Sequence, residues 1–190
     1  LGYAKGNKTT SRPYKKRIID FNQGLDATYF SEEKIKLLTK LNINPMRIAF
    51  DLIHEKDGYI RAIRLASKYE VRVFSNYMLY NYKDTPRDLY DRLVVNIKLN
   101  QEFRRNGSIN ISSIYSYPMR YAPIHNSINP NALSQGNDIK KENICDGKSW
   151  VNNLVWTQRF IRNMEIMKGT AHGAISPTPS LAKRTIGESY

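Results

Sequence analysis

The chain has 190 residues, with 30 Lys or Arg against 17 Asp or Glu, and its formal net charge is +13 at pH 7. This length fits one domain with a sizeable core or a piece of a larger one, and the first residue, Leu1, favours a fragment. No run approaches the roughly 18 apolar residues of a membrane span and no secretory signal is seen, so we expect a cytoplasmic protein without a membrane partner. The single cysteine excludes an intramolecular disulfide and a self-contained metal site with cysteine ligands.

The positive charge has two interpretations. Neutralisation of phosphates would make the chain a nucleic-acid binder. The basic residues are spread along the whole chain, however, and this favours an ordinary solvated surface. Residues 1–16 contain most of the one dense basic patch and show neither helical nor strand periodicity, so we predict a flexible basic lead-in there. The patch consists of Lys5, Lys8, Arg12, Lys15, Lys16 and Arg17.

The first two strands are predicted at residues 17–22 and 46–52. Between them, Ser31 is a residue type favoured at a helix N-cap, and two acidic residues follow it, where they favour the positive end of the helix dipole. Apolar residues at spacing three predict a helix that ends near Asn42. A second helix is predicted to open at Asp57. The apolar face of the first helix consists of Ile35, Leu38 and Leu41, with Leu37 beside them.

The third strand is predicted at residues 71–80, which are rich in β-branched and aromatic side chains. The helix after it has the clearest start signal in the chain. Thr85 is the expected N-cap, and Pro86 occupies the first helical position. Asp88 lies three residues after the cap, where Glu or Gln would complete a standard capping box. The predicted buried stripe of this helix is Leu89, Leu93 and Ile97, flanked by Tyr90 and Val94.

The fourth strand is predicted at residues 109–117. The polar stretch 126–141 indicates a long loop, which we place at residues 125–149. A last helix is predicted at residues 150–167. The segment after Gly169 contains several Gly and Pro residues, and we expect an irregular tail there, to residue 190.

Strands and helices therefore alternate along the chain. Repeated βα units at this spacing predict an α/β fold with a parallel sheet and right-handed crossovers. Four units are too few for a closed eight-stranded barrel, so an open sheet or a partial barrel remains.

The usual sequence signatures of nucleotide and metal sites are missing. Neither Gly-x-Gly-x-x-Gly nor Gly-x-x-x-x-Gly-Lys-Ser/Thr occurs. His54, His125 and His172 do not have metal-ligand spacing, and Cys145 lies in a polar stretch without a nearby histidine. We therefore predict no metal ligand within the chain and assign no catalytic residue.

Polar residues gather where the predicted strands end. At the carboxyl edge of a parallel sheet, amides and carboxylates suit the hydroxyl and amine groups of a nucleoside-like ligand. Asp26 or Asp51 would accept hydrogen bonds from a ribose, and Arg120 would pair with a carboxylate. The alternative is that these residues only cap helices and loops. The set consists of Asn22, Gln23, Asp26, Asp51, His54, Ser75, Asn76, Asn81, Tyr117 and Arg120.

Four segments carry more specific information. They are Asn-Gln-Gly-Leu-Asp-Ala at 22–27 with 31–35, Arg-Ile-Ala-Phe-Asp at 47–51, Ser-Asn-Tyr-Met-Leu-Tyr-Asn at 75–81 with 84–90, and Tyr-Ser-Tyr-Pro-Met-Arg-Tyr at 115–121. In this order they resemble the later half of the core domain of radical SAM enzymes. The resemblance covers residues 17–124 and extends to residues 170–173.

This resemblance implies a partial (β/α)6 TIM-like barrel in which residues 17–124 form strands three to six. Such a barrel binds S-adenosylmethionine and a [4Fe–4S] cluster at the carboxyl edge of its strands, and it would cleave S-adenosylmethionine reductively to a 5′-deoxyadenosyl radical that abstracts hydrogen from a substrate. The family's C-x-x-x-C-x-x-C loop is missing, so the cluster ligands would lie upstream of this chain. Carried over by position, the cofactor-binding residues would be Asn22, Asp26, Asp51, Asn76 and Arg120.

The leading prediction is therefore the C-terminal portion of a radical SAM enzyme, with both RNA and protein open as substrate classes. The alternative is a basic α/β module that binds nucleic acid without catalysis, driven by the net charge of +13. A third interpretation is a remnant without activity.

Overall fold

The computed structural model describes residue 5 and residues 17–105, 112–121, 156–171 and 174–187. Within these ranges strands and helices alternate, which confirms the predicted α/β class. The strands are β1 (Met46–Arg47), β2 (Val73–Tyr80) and β3 (Ser113–Arg120). The helices are α1 (Glu32–Leu38), α2 (Lys56–Lys68), α3 (Pro86–Arg105), α4 (Gln158–Ala171) and α5 (Pro179–Ile186), and short 3-10 helices lie at Ala27–Tyr29 and Ile53–Glu55.

The described strands form one parallel sheet in the order β1-β2-β3. β2 and β3 pair along their whole length, from Val73 opposite Ser113 to Tyr80 opposite Arg120. On the other side of β1, two isolated parallel bridges join residues 19 and 25 to residues 43 and 48. The order of these parallel segments in space therefore follows their order in the chain.

The prediction of a strand at residues 17–22 is wrong, because these residues form only an isolated bridge at Ile19. The chain turns where the strand was expected to end, because the Gly24 N–H donates to the Phe21 carbonyl at 2.8 Å. Gly24 has a φ of +83°, and a Cβ atom added there would lie 3.3 Å from the Ala49 nitrogen, so the turn requires glycine. The second predicted strand is also shorter than expected, since regular pairing covers only Met46–Arg47.

The predicted starts of the first three helices are confirmed. The Ser31 hydroxyl accepts from the N–H of Lys34 at 3.3 Å, and α2 begins one residue before Asp57. At α3, Asp88 donates its N–H to the Thr85 hydroxyl at 3.2 Å, and its carboxylate accepts from the Thr85 N–H at 2.8 Å. The Thr85–Asp88 pair is therefore a reciprocal capping box with Asp in place of Glu. The stripe of Leu89, Leu93 and Ile97 is buried as predicted.

The expected irregular tail is wrong between Pro179 and Ile186, where α5 forms. The Thr178 hydroxyl accepts from the Leu181 N–H at 3.3 Å, and Pro179 occupies the first turn, so this proline begins a helix. The last predicted helix begins later than expected, at Gln158. The predicted lead-in other than Lys5, the loop at 125–149, the start of the fourth strand, Cys145, His125 and His172 lie outside the described residues.

The two faces of the sheet differ. Even-numbered strand residues share one buried core with α2 and α3, and in this core the Phe50 and Tyr59 rings stack with centroids 4.3 Å apart. The opposite face carries Tyr115 and Met119, which are 40% and 43% exposed. Among the described residues, the core therefore lies on one side of the sheet. Its members on the strands and on the segment that follows β1 are Met46, Ile48, Phe50, Phe74, Met78, Tyr80 and Ile114.

Candidate functional site

The segment that follows β1 and the end of β2 are joined through Asp51. Its carboxylate accepts from the Leu79 N–H at 3.4 Å, while its own N–H donates to the Glu55 carboxylate at 3.2 Å. Asp51 is half-buried, and this burial raises its pKa above the ordinary value, against the lowering effects of the Leu79 N–H and the Arg92 charge. A carboxylate that is costly to ionise in the folded chain therefore lies at the edge where ligands bind to parallel sheets.

Arg92 holds this edge together from α3. Its guanidinium is fully buried and donates to the Asp51 carbonyl at 2.7 Å and to the Leu79 carbonyl at 2.8 Å. It also donates to the Phe50 carbonyl at 3.2 Å and pairs with the Asp84 carboxylate at 2.7 Å. Burial lowers the pKa of Arg92 and raises that of Asp84, and the attraction between the two charges opposes both shifts. The guanidinium thus binds the carbonyls of two strand ends.

Arg92 was missed in the sequence, although a signal for it exists. It lies three residues after Leu89 and four before Asn96, on the buried side of the predicted helix. A charged residue on an apolar stripe is almost never fully buried unless it is paired. Such a position therefore indicates a partner, which here is Asp84.

A group of polar and aromatic side chains lies on the sheet face opposite the core, the face that carries Tyr115 and Met119, which we call the open face. Arg47 forms a bidentate pair with Asp20, at 2.7 and 2.9 Å, and donates to the Ser75 hydroxyl at 2.8 Å. Its guanidinium carbon lies 5.0 Å from the centre of the Tyr77 ring. The hydrogen bond from Arg47 lowers the pKa of Asp20. Tyr77 in turn donates its hydroxyl to the Asn22 side-chain oxygen at 3.0 Å, so this group holds the 22–26 loop against the open face.

Asn22 and Asp26 lie on this loop, on either side of the Gly24 turn. The Asp26 carboxylate accepts from the Thr28 N–H at 2.8 Å and caps the following 3-10 helix. This hydrogen bond lowers the pKa of Asp26, whose side chain is exposed and ionised at neutral pH. The loop therefore presents two amides, Asn22 and Gln23, and one carboxylate to solvent.

Asn76 and Arg120 are placed differently. The prediction that Asn76 lies at a strand end is wrong, because β2 continues to Tyr80 and Asn76 faces the helix layer in mid-strand. It is 1% exposed and donates to the Tyr59 hydroxyl at 2.9 Å. Arg120 is exposed at the last residue of β3, opposite Tyr80. Arg120 thus lies at the end of β3 and Asp51 lies four residues after β1, while Asn76 lies inside the core.

Within the described ranges, no group of three or more His, Cys, Asp or Glu side chains is arranged to hold a metal ion. Over the same ranges, none of the helices has the length and apolar character needed to cross a membrane. Comparisons with protein families, with curated proteins and with solved structures found no match to this chain.

Replacing Asp51 by Asn should stabilise the chain at neutral pH. The folded-state pKa of Asp51 is raised, so ionisation costs folding free energy at a pH above that pKa, and this cost vanishes below the ordinary pKa of about 4. Asn keeps an oxygen that can accept from the Leu79 N–H. We expect Tm to rise by about 2 °C at pH 7 and to be unchanged at pH 3. The exposed Asp57→Asn is the control, and a Tm rise for Asp51→Asn at both pH values would contradict the burial argument.

Proposed function

We propose that this chain is the C-terminal portion of a radical SAM enzyme, forming the later strands of a partial (β/α)6 barrel that binds S-adenosylmethionine at its carboxyl edge. The observation that carries the proposal is the order of the parallel segments, which follows the chain from residue 19 to β3. In a doubly wound sheet, the strand order reverses at a switch point and helices cover both faces. In an arc of a barrel, the strands keep the order of the chain and helices cover only the outer face. The one-sided core fits the arc.

The residues at this edge suit the polar groups of S-adenosylmethionine. Asp26 and Asp51 supply carboxylate acceptors for ribose hydroxyls or an amine, and Asn22 supplies an amide on the same loop as Asp26. The Arg120 side chain is exposed at the end of β3 and would pair with a carboxylate. Asn76 would not contact the ligand and would support the edge from inside the core, through its hydrogen bond to the Tyr59 hydroxyl. When bound, S-adenosylmethionine supplies chemistry that removes a hydrogen atom from a substrate, while these residues bind and orient it.

The residues of this chain do not fit the [4Fe–4S] cluster. Such a cluster requires three or four thiolates in this family, and the sequence contains one cysteine. We therefore assign no cluster chemistry to this chain and propose that the thiolates belong to a segment encoded upstream. The single cysteine also fits a reducing compartment, and we place the protein in the cytoplasm as part of the same proposal.

The proposal is tested by S-adenosylmethionine binding, measured by titration calorimetry on this chain and on the longer protein of the same reading frame. Asp26→Ala should weaken binding by about tenfold or more, because a charged hydrogen-bond partner is lost. Its effect on Tm should be small, since Asp26 is exposed and caps only a three-residue 3-10 helix. Asp57→Ala, at another exposed acid, should leave binding unchanged.

Two results would contradict the proposal. One is an Asp26→Ala variant that binds as tightly as the wild type, and the other is an upstream reading frame without the three-cysteine motif. The net charge of +13 favours a nucleic-acid-binding module as the second candidate. That function would appear in a gel-shift series as RNA or duplex binding that weakens steeply with salt and does not require S-adenosylmethionine.

A further inference from the structure

Asn81 follows β2 directly and has an unusual environment. Its side chain is 1% exposed, and neither its amide nitrogen nor its amide oxygen has a hydrogen-bond partner. Buried side-chain amides are nearly always bonded, so each unpaired atom makes the folded state less stable. Asn81 also has a φ of +61°, in the left-handed region that non-glycine residues adopt at a cost.

A turn role alone does not account for Asn81. Asn is tolerated in left-handed turns, where its side chain usually bonds the nearby backbone, but the Asn81 side chain makes no such bond. Glu70 provides a comparison, because it has a φ of +64° in a plain structural setting. Glu70 lies exposed just after α2, and its N–H donates to the Ser67 carbonyl at 3.0 Å as the helix ends. Asn81 combines the same strained backbone with a buried amide that the fold itself does not use.

We propose that the Asn81 carboxamide recognises the ligand at the carboxyl edge. A carboxamide presents a donor beside an acceptor, and its natural complement is a group with the same pair reversed, such as the edge of adenine. Asn81 lies two residues after Leu79, whose N–H and carbonyl contact Asp51 and Arg92, so it belongs to the same edge. The inference rests on the proposed function, since the adenosyl group of S-adenosylmethionine would supply that edge. The amide is covered in this structure, so the proposal requires that the bend at residues 81–83 open to admit the ligand.

The proposal predicts opposite effects of Asn81→Gly on stability and on binding. Glycine accepts the left-handed backbone and removes the buried unpaired amide, so Tm should rise by about 2 °C or more. The affinity for adenosine and for S-adenosylmethionine, each titrated by calorimetry, should fall by about tenfold or more. Asn81→Asp, which replaces the amide donor by an acceptor in the same shape, should also weaken adenosine binding.

Glu70→Gly is the matched control, because it relieves the same backbone strain away from the edge. It should raise Tm while leaving adenosine affinity unchanged. A fall in Tm for Asn81→Gly would overturn the inference, since it would make the amide structural. Unchanged adenosine affinity in Asn81→Gly would also overturn the inference. In that case, binding of S-adenosylmethionine by the wild type would still support the proposed function. A wild-type chain that binds neither compound would overturn the proposed function and the adenine assignment together.

Discussion

Replacing Arg92 by Met should lower the free energy of unfolding by about 3–5 kcal/mol, because it leaves the Asp84 carboxylate buried without its partner. Arg92 and Asp84 are joined at 2.7 Å, with side chains only 0% and 4% exposed. The strand-end carbonyls of Phe50, Asp51 and Leu79 would also lose their shared donor. Urea unfolding followed by circular dichroism measures the change.

Two further variants separate this effect from loss of charge in general. Arg64→Met removes an exposed bidentate pair with Glu102, and it should cost less than about 1 kcal/mol. Adding Asp84→Asn to Arg92→Met should recover part of the lost stability, because the uncompensated carboxylate is then removed. Equal losses for Arg92→Met and Arg64→Met would show that the strand-end contacts contribute little.

Replacing Trp156 by Ala should also cost about 3–5 kcal/mol, since it removes one of the largest buried side chains. The indole is 1% exposed, and its ring centre lies 5.2 Å from that of Tyr80. Its N–H donates to the Asp84 carbonyl at 2.8 Å. Trp156 therefore links the residues before α4 to the segment after β2, and thermal unfolding followed by circular dichroism should show a lower Tm.

Trp156→Phe provides a graded control for this prediction. Phe keeps most of the apolar contact with Tyr80 but cannot donate to the Asp84 carbonyl, so its loss should be clearly smaller than that of Trp156→Ala. Leu181→Ala, at a side chain that is 43% exposed on α5, should change the stability by less than about 1 kcal/mol. A Trp156→Ala variant as stable as Leu181→Ala would mean that the surroundings of the indole collapse without cost.

Local signals in the sequence were the most reliable. The capping box of Thr85 and Asp88 depends on atoms within three residues of each other, so the start of α3 is encoded where it occurs. The N-cap at Ser31 is local in the same way. By contrast, Pro179 was interpreted as a sign of irregular structure, although the Thr178 N-cap directly before it makes this proline the start of a helix.

Strand boundaries were less reliable because a strand is completed by its neighbours. Residues 17–22 have an apolar start, yet they make only an isolated bridge and end in the Gly24 turn, and Ile18 is 55% exposed. The end predicted for the third strand, at residue 80, is confirmed by pairing with β3 up to Tyr80. Asn76 therefore lies in mid-strand inside the core, and its expected place at the binding edge is wrong.

The sequence by itself determined the α/β class, the starts of the first three helices and the presence of polar residues near the strand ends, because these depend on local hydrogen bonds and on the spacing of apolar side chains. Only the tertiary structure decided the order of the strands, the burial of Arg92 with Asp84, and the isolation of the Asn81 amide. These features depend on residues far apart in the chain. Arg92, for instance, bonds a carbonyl 42 residues away.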